Sequence, residues 1–436
     1  MTISRGAGSA FAYLYLPALL FLGEIRGISV PGLPDPTAST AAIYGILFGS
    51  VIGGRGPRIR LVATDYIFAL MTLAYIVSAV TTEIFYTGVS IFGALILEIV
   101  APYFIARISL EQPSSQRSAL RVLATAAPII AAFALVEFRF WPHFYAQLLN
   151  AIGIYDTVSL FGASRFGVFR ARASFIHPID FGNSAVLIFA AILVLAVRSG
   201  VGLRDTRVRI GLAATLICLV SALSFTSFLG AIAAVGLYVG LSTFPASRRF
   251  LAPAVAALIA CGIGYAGYLA TAPFQFEENP LDTNALASSY WVRQLIIREA
   301  WNYATTAGLF GWGRLVAVGD LLSLDNAYLL IAIQRGWVAL GLWLALPFSL
   351  GILAARGLRA TRSPRTTRPI LWGFCATLGT MIAMFTVWFG SAYASLFVVV
   401  IALTVNAALA AAPDVNPARA RSTASLGSAA RPASPV

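Results

Sequence analysis

The sequence predicts an all-α membrane protein, a polytopic transmembrane bundle of about 12 helices. Three observations predict it. The chain of 436 residues is 59% hydrophobic and 11% charged, whereas a soluble domain runs nearer half apolar and a quarter charged. Its mean hydropathy is +0.84, more apolar surface than a soluble core of this size can hide. The apolar residues also fall in runs of roughly the 17–25 residues that cross a bilayer.

The runs centre near residues 17, 46, 70, 98, 128, 189, 215, 235, 261, 341, 378 and 402. The first, from about Ala10 to Gly23, follows Arg5 as a signal peptide would, but it shows no small-x-small cleavage site. It is read as the first helix, uncleaved. Cys218, Cys261 and Cys375 all lie inside apolar runs, as small buried hydrophobes with no disulfide expected.

Orientation follows from charge. The net charge of +13 comes from arginine alone, and 21 of the 30 arginines fall at the N-terminus, in alternate connections and in the tail. Arg55, Arg58 and Arg60 follow the second run; Arg107, Arg117 and Arg121 follow the fourth. Arg198 to Arg209 follow the sixth, Arg248 and Arg249 the eighth, and Arg356 to Arg368 the tenth. Cytoplasmic loops carry such an excess, so both termini are expected inside, and nucleic acid is not expected as a partner. The tail, 413–436, is rich in Ala, Ser, Pro and Arg and is expected to be disordered and cytoplasmic. No internal repeat is visible, which counts mildly against an inverted-repeat transporter.

Two outer segments are long, about 139–180 and about 271–325. Trp141, Tyr145, Tyr155, Tyr290, Trp291, Trp301 and Trp312 are placed to form an interfacial aromatic belt. Ser289 to Ala307 reads as an amphipathic stretch lying on the membrane.

The first outer segment holds Arg165, Arg170, Arg172 and His177. Positive charge there breaks the inside bias. Guanidinium groups bind phosphates bidentately, so a phosphate or pyrophosphate clamp is one reading; anionic lipid or outer acids are the other. His177 suits a base near neutral pH or a structural hydrogen bond to backbone. The second segment holds Arg293, Arg298, Arg314 and the run Gly311-Trp312-Gly313. Asp325 then enters the tenth run, as a helix cap or a general base. Arg335 follows, at a depth where an arginine must be paired or wet. Asp65 and Glu98 are intramembrane acids, on an ion path or paired with arginine inside the bundle. No metal-ligand set, phosphate loop, hydrolase elbow or dinucleotide fingerprint occurs.

Several pieces, in order, resemble the O-antigen ligase and O-antigen (exopolysaccharide) polymerase superfamily of bacterial membrane proteins. They are Ser289 to Trp301 with Arg293, then Gly311-Trp312-Gly313, Asp325-Asn326 with Leu329, Arg335-Gly336 and Gly341. Arg170 to Gly182, with His177-Pro178, is similar to that family's outer loop. The resemblance implies a metal-independent glycosyltransferase of the bacterial inner membrane, with no cofactor. It would move glycan from a polyprenyl-pyrophosphate carrier to a glycan or lipid acceptor, beside polysaccharide assembly and export proteins. Arg170, Arg172, Arg293 and Arg335 would hold the pyrophosphate; Asp325 and His177 would carry the chemistry. Asp325-Asn326 stands where ligases typically have His-Asn and polymerases often Asp-Asn, which favours polymerase. Phe225, in Ser224-Phe225-Thr226-Ser227, stands where members often carry Arg or Lys.

Overall fold

A computed structural model describes residues 6–22, 37–52, 59–82, 85–153, 164–165, 167–244, 255, 285–313, 326–361, 363–386 and 390–412. Helix α1 is Ala7–Leu22, α2 Ala38–Ile52 and α3 Ala63–Thr82. Helix α4 is continuous through Phe85–Leu95, a π-helical turn Ile96–Val100, and Ala101–Ser109. Then come α5 (Pro113–Arg139), α6 (Phe144–Ala151) and a two-stranded hairpin, β1 (Ser164–Arg165) with β2 (Val168–Phe169). Helices α7 (Pro178–Arg198), α8 (Thr206–Ser221), α9 (Phe225–Thr243), α10 (Ala285–Thr306), α11 (Ala327–Ala360), α12 (Pro364–Ala383) and α13 (Ser391–Ala411) complete it.

Among the described residues, seven helices are long and apolar enough to cross a membrane, which makes this a multi-pass membrane protein. Helices cover every expected centre except that near residue 261, which lies outside the described residues. Their starts follow local rules. Proline opens α5, α7 and α12, where its missing N–H costs nothing. Asp205 caps α8 by accepting from the N–H groups of Arg207 (2.8 Å) and Val208 (3.3 Å).

Helix α7 is the centre of the bundle, with 89% of its span buried, and α13 beside it is 83% buried. The span of α9 is only 22% buried and forms part of the outer wall. Between α9 and α12, Gly230 and Gly379 let the backbones meet: a Cβ on Gly379 would lie 2.4 Å from the Gly230 oxygen. Such close approach by small residues replaces the water-driven force that lipid does not supply.

Among the described residues, the connections after α4, α7 and α11 share one end of the bundle. Gly8 packs on Ser115 and on the carbonyl of Ser109, Gly357 packs on Ala408, and Arg198 donates to the Leu403 carbonyl at 3.3 Å. Arg107 ties that end together. It pairs with Asp65 at 3.4 Å, donates to the Arg60 carbonyl at 3.0 Å, and bonds the Asn406 side-chain oxygen. Asn406 donates back to the Arg107 carbonyl at 3.0 Å. Asp65 also accepts from the Tyr103 hydroxyl at 2.6 Å and from the Val62 N–H at 2.8 Å. Asp65 is thus the acid partner of an arginine inside the bundle rather than a step on an ion path.

Both charges are buried, Asp65 to 2% and Arg107 to 5% exposure. Removing one leaves the other uncompensated, a loss of about 3–5 kcal/mol. Arg107→Ala and Asp65→Ala are each expected to lower the melting temperature in detergent strongly, and the double variant by much less than the two combined. Additive losses in this double-mutant cycle would show that the pair does not anchor the basic end.

Candidate functional site

At the opposite end, the segment between α5 and α7 is pinned by a carboxylate. Glu137, fully buried at the end of α5, accepts from the N–H groups of Arg172 (2.9 Å) and Ala173 (2.8 Å) through Oε2. Its Oε1 accepts from the Tyr145 N–H at 3.1 Å. Three backbone donors on one carboxylate are strong bonds in a dry place, and they hold Ala173 in the left-handed region at φ 47°. Sequence reading passed over Glu137; the available signal was a single acid ending a long apolar run.

The pinned segment lies against the turn between α8 and α9. The Ala171 N–H donates to the Ser221 carbonyl at 3.0 Å. Arg170 Nε donates to the Ala222 carbonyl at 3.2 Å, and Arg165 Nη1 reaches the Leu223 carbonyl at 3.4 Å. Arg172 Nη1 donates to the Ile176 carbonyl at 3.3 Å, and both Arg170 and Arg172 are buried. Ser224 caps α9 through the Ser227 N–H, and the Ser227 hydroxyl donates to the Ile179 carbonyl at 3.3 Å. Phe225 points away and is 71% exposed. The turn that lacks a basic residue of its own therefore receives Arg165 and Arg170 from the preceding segment.

His177 is the cap of α7. Its Nδ1 accepts from the Ile179 N–H at 3.2 Å, so Nδ1 carries no proton while it caps, and the ring is exposed.

Helix α11 is broken at Gly336, where φ is 83° and ψ is 176°. This region of backbone space is open essentially to glycine alone. The segment Leu309–Gly313 fills the break. The N–H groups of Trp312 and Gly313 donate to the carbonyls of Ile333 (2.8 Å) and Gln334 (3.2 Å). In return Trp337 and Val338 donate to Gly308 (3.3 Å) and Leu309 (3.2 Å). The Ser78 hydroxyl on α3 donates to the Phe310 carbonyl at 2.7 Å. Contact is backbone on backbone: a Cβ on Gly336 would sit 2.1 Å from the Leu309 oxygen, and one on Gly311 2.5 Å from the Gln334 carbonyl carbon. Two motifs some 25 residues apart in sequence thus form one joint. About 30 Å of helical rise separates Gly336 from Arg356 at the basic end, the thickness of the hydrocarbon core.

Beside the joint is a cavity of about 270 Å³. Arg335, Gln334 and Trp343 of α11, Tyr75 of α3 and Glu98 of α4 give it its polar and aromatic wall. The Arg335 guanidinium carbon lies 5.7 Å from the Tyr75 ring centre, a cation–π contact. Trp343 Nε1 donates to the Tyr75 hydroxyl at 3.2 Å. Glu98 sits on the π-helical turn of α4, and the Ser395 hydroxyl of α13 donates to its carbonyl at 2.7 Å.

The structure therefore brings Arg165 and Arg170 to one turn, turns Arg172 onto the Ile176 carbonyl of its own segment, and places Arg335 with Glu98 at one cavity. Arg293 lies on α10, with its side chain outside the described residues, as is the whole of Asp325. The cap of α11 that Asp325 was placed to make comes from Asn326, whose side-chain oxygen accepts from the Leu329 N–H at 3.0 Å. Tyr145, expected in an interfacial belt, is buried and donates its hydroxyl to the Phe21 carbonyl, whereas Trp141 and Trp312 are about half exposed. No protein-family model and no curated protein matches the chain.

Gly336→Ala and Gly311→Ala each place a methyl group inside facing backbone, on top of about 1–3 kcal/mol of backbone strain. Both are expected to destabilise the protein and open residues 307–313 to limited proteolysis. Gly341→Ala is the control: a Cβ there meets nothing within 4 Å, and alanine favours a helix by roughly 1 kcal/mol over glycine. Equal protease sensitivity in all three would mean that the joint is not held by the glycines.

Proposed function

We propose that this protein transfers glycan from a polyprenyl-pyrophosphate carrier at the outer face of the bacterial inner membrane, polymerising surface-polysaccharide repeat units. The observation that carries the reading is the set of buried arginines, Arg170, Arg172 and Arg335, away from the basic end. The charge rule makes the basic end cytoplasmic, so these three belong to the outer half. Guanidinium groups in partly dry sites suit phosphate and pyrophosphate groups, which they can bind bidentately. A pyrophosphate leaving group needs its growing charge matched by fixed donors, and arginines in a dry site do this without reorganisation. The resemblance of Gly311-Trp312-Gly313 and Arg335-Gly336 to glycan polymerases and ligases supports the same reading, and their packing as one joint gives the two motifs a common purpose. Asp325, next in sequence to the capping Asn326, remains the proposed acceptor-side group, with His177 as a further catalytic candidate and Arg293 among the proposed pyrophosphate contacts. Transfer to a lipid or protein acceptor, as a ligase would do, uses the same donor site.

One observation favours a different class. A discontinuous helix beside a cavity with an acid and an arginine is also how secondary transporters hold substrates. The two classes separate on glycan analysis. In a deletion strain, polyprenyl-linked oligosaccharides are expected to accumulate as single repeat units. Complementation with Arg335→Ala or Arg170→Ala is expected to leave them there, with chain output down at least about tenfold, the loss of roughly 1.4 kcal/mol of transition-state stabilisation. Long chains stranded on the carrier would mean a ligase. An unchanged lipid-linked pool would discard both transferases in favour of transport.

A further inference from the structure

The described acids inside the bundle sort by what surrounds them. Asp65 is taken up by Arg107, Tyr103 and the Val62 N–H. Glu137 is taken up by three backbone N–H groups. Both are accounted for as structure. Asp180, buried at the start of α7, packs on Gly390. Glu98 lines the 270 Å³ cavity together with Arg335 and is only partly buried.

Its backbone is special as well. Glu98 is the middle residue of the π-helical turn Ile96–Val100 of α4. Such turns are rare and frequent at functional sites. The Ser395 hydroxyl of α13 donates to the Glu98 carbonyl, which ties the turn to a second helix. By helical rise Glu98 lies about 13 Å from Arg107, well inside the membrane, where carboxylates are paired or face a wet cavity and mark functional positions by default.

We propose that Glu98 is the proton acceptor for the attacking hydroxyl, with the Arg335 cavity as the acceptor-sugar subsite. This rests on the glycosyl-transfer reading above and adds to it a second carboxylate besides Asp325. The subsite has the chemistry of a sugar pocket. Trp343 and Tyr75 give an aromatic wall for a ring face, Gln334 gives an amide, and Glu98 and Arg335 give an acceptor and a donor for hydroxyls. In the step, the acceptor O–H gives its proton to the Glu98 carboxylate while its oxygen bonds the anomeric carbon. The bond from that carbon to the pyrophosphate oxygen breaks, its electron pair leaves with the carrier pyrophosphate, and Arg335 meets that charge. Glu98 then returns its proton to water.

The groups facing Glu98 are Arg335 from α11, Tyr75 from α3, and Tyr15 from the π-helical turn of α1. On the other elements packed against its turn, Tyr393 of α13 faces Asp180, Arg107 and Tyr103 of α4 face Asp65, and Tyr44 of α2 is exposed. Glu98 and Arg335 are thus the pair of opposite charge at this cavity among the described residues. A working base must be ionised, so the rate falls on the acid side.

The test uses the full-length protein in nanodiscs with lipid-linked repeat units extracted from the deletion strain, reading product length against time and pH. Glu98→Gln, nearly the same shape, is expected to lose about 10²–10⁴-fold in rate, the range for a general base, while melting at the wild-type temperature. Glu98→Asp keeps the carboxylate and is expected to stay within about tenfold of wild type with a displaced acid limb. Glu98→Gln turning over within threefold of wild type overturns the proposal, as does Glu98→Asp falling as far as Glu98→Gln. If the wild-type protein itself elongates nothing, the glycosyl-transfer reading fails first and the base falls with it.

Discussion

A helix interrupted within a membrane protein leaves backbone donors and acceptors that lipid cannot satisfy. The break at Gly336 is therefore possible only with the Leu309–Gly313 segment lodged in it, exchanging four backbone hydrogen bonds with α11. Much of the candidate site depends on that exchange. It turns the chain at Arg335, so that the guanidinium meets Tyr75 rather than following the line of an unbroken helix. It brings α10 and the outer segment against the bundle through Ser78 on α3. It also explains why two glycines face each other: any side chain at either position would occupy space already held by the other strand of backbone.

The first outer segment obeys the same rule with a different device. There a side-chain carboxylate, Glu137, stands in for the missing backbone partner and takes three N–H groups at once. The result is a rigid, non-helical stretch whose arginines are aimed by main-chain geometry. Arg165, Arg170 and Arg172 then spend part of their donor capacity on carbonyls of Leu223, Ala222 and Ile176. A guanidinium has five donors in a fixed fork, so a bond to one carbonyl orients the whole group. Arginine suits this better than lysine, whose point charge carries no such orientation.

The helical fold was legible because lipid-facing helices must be long and apolar, and that pattern is local. The basic end was legible from charge for the same reason. Arg335-Gly336 and Gly311-Trp312-Gly313 were legible as separate motifs, but not as partners, since nothing in a period or a spacing says that one fills the other. Glu137 was missed because a lone acid at a helix end looks like any interfacial acid until its backbone donors are seen. Asp65 was readable only as one of two alternatives, and the partner that decides between them, Arg107, lies on the next helix. Asn326 took the capping position from Asp325 by one residue, a shift within the ordinary uncertainty of helix ends. Tyr145 looked interfacial by position, but its hydroxyl finds a carbonyl on α1, and a tyrosine with a partner for its O–H can be buried.

The start of α13 touches both α7 and the Arg335 cavity. Gly390 packs on the Asp180 carboxylate of α7, where a Cβ would lie 2.7 Å from Oδ2. One turn on, Ala394 lines the Arg335 cavity, and Ser395 holds the carbonyl of Glu98. The first turn of α13 is thus shared: any displacement that makes room beside Asp180 also moves a wall of the cavity. Gly390 has no side chain to cushion that contact, and the tightly packed helices below it leave little slack.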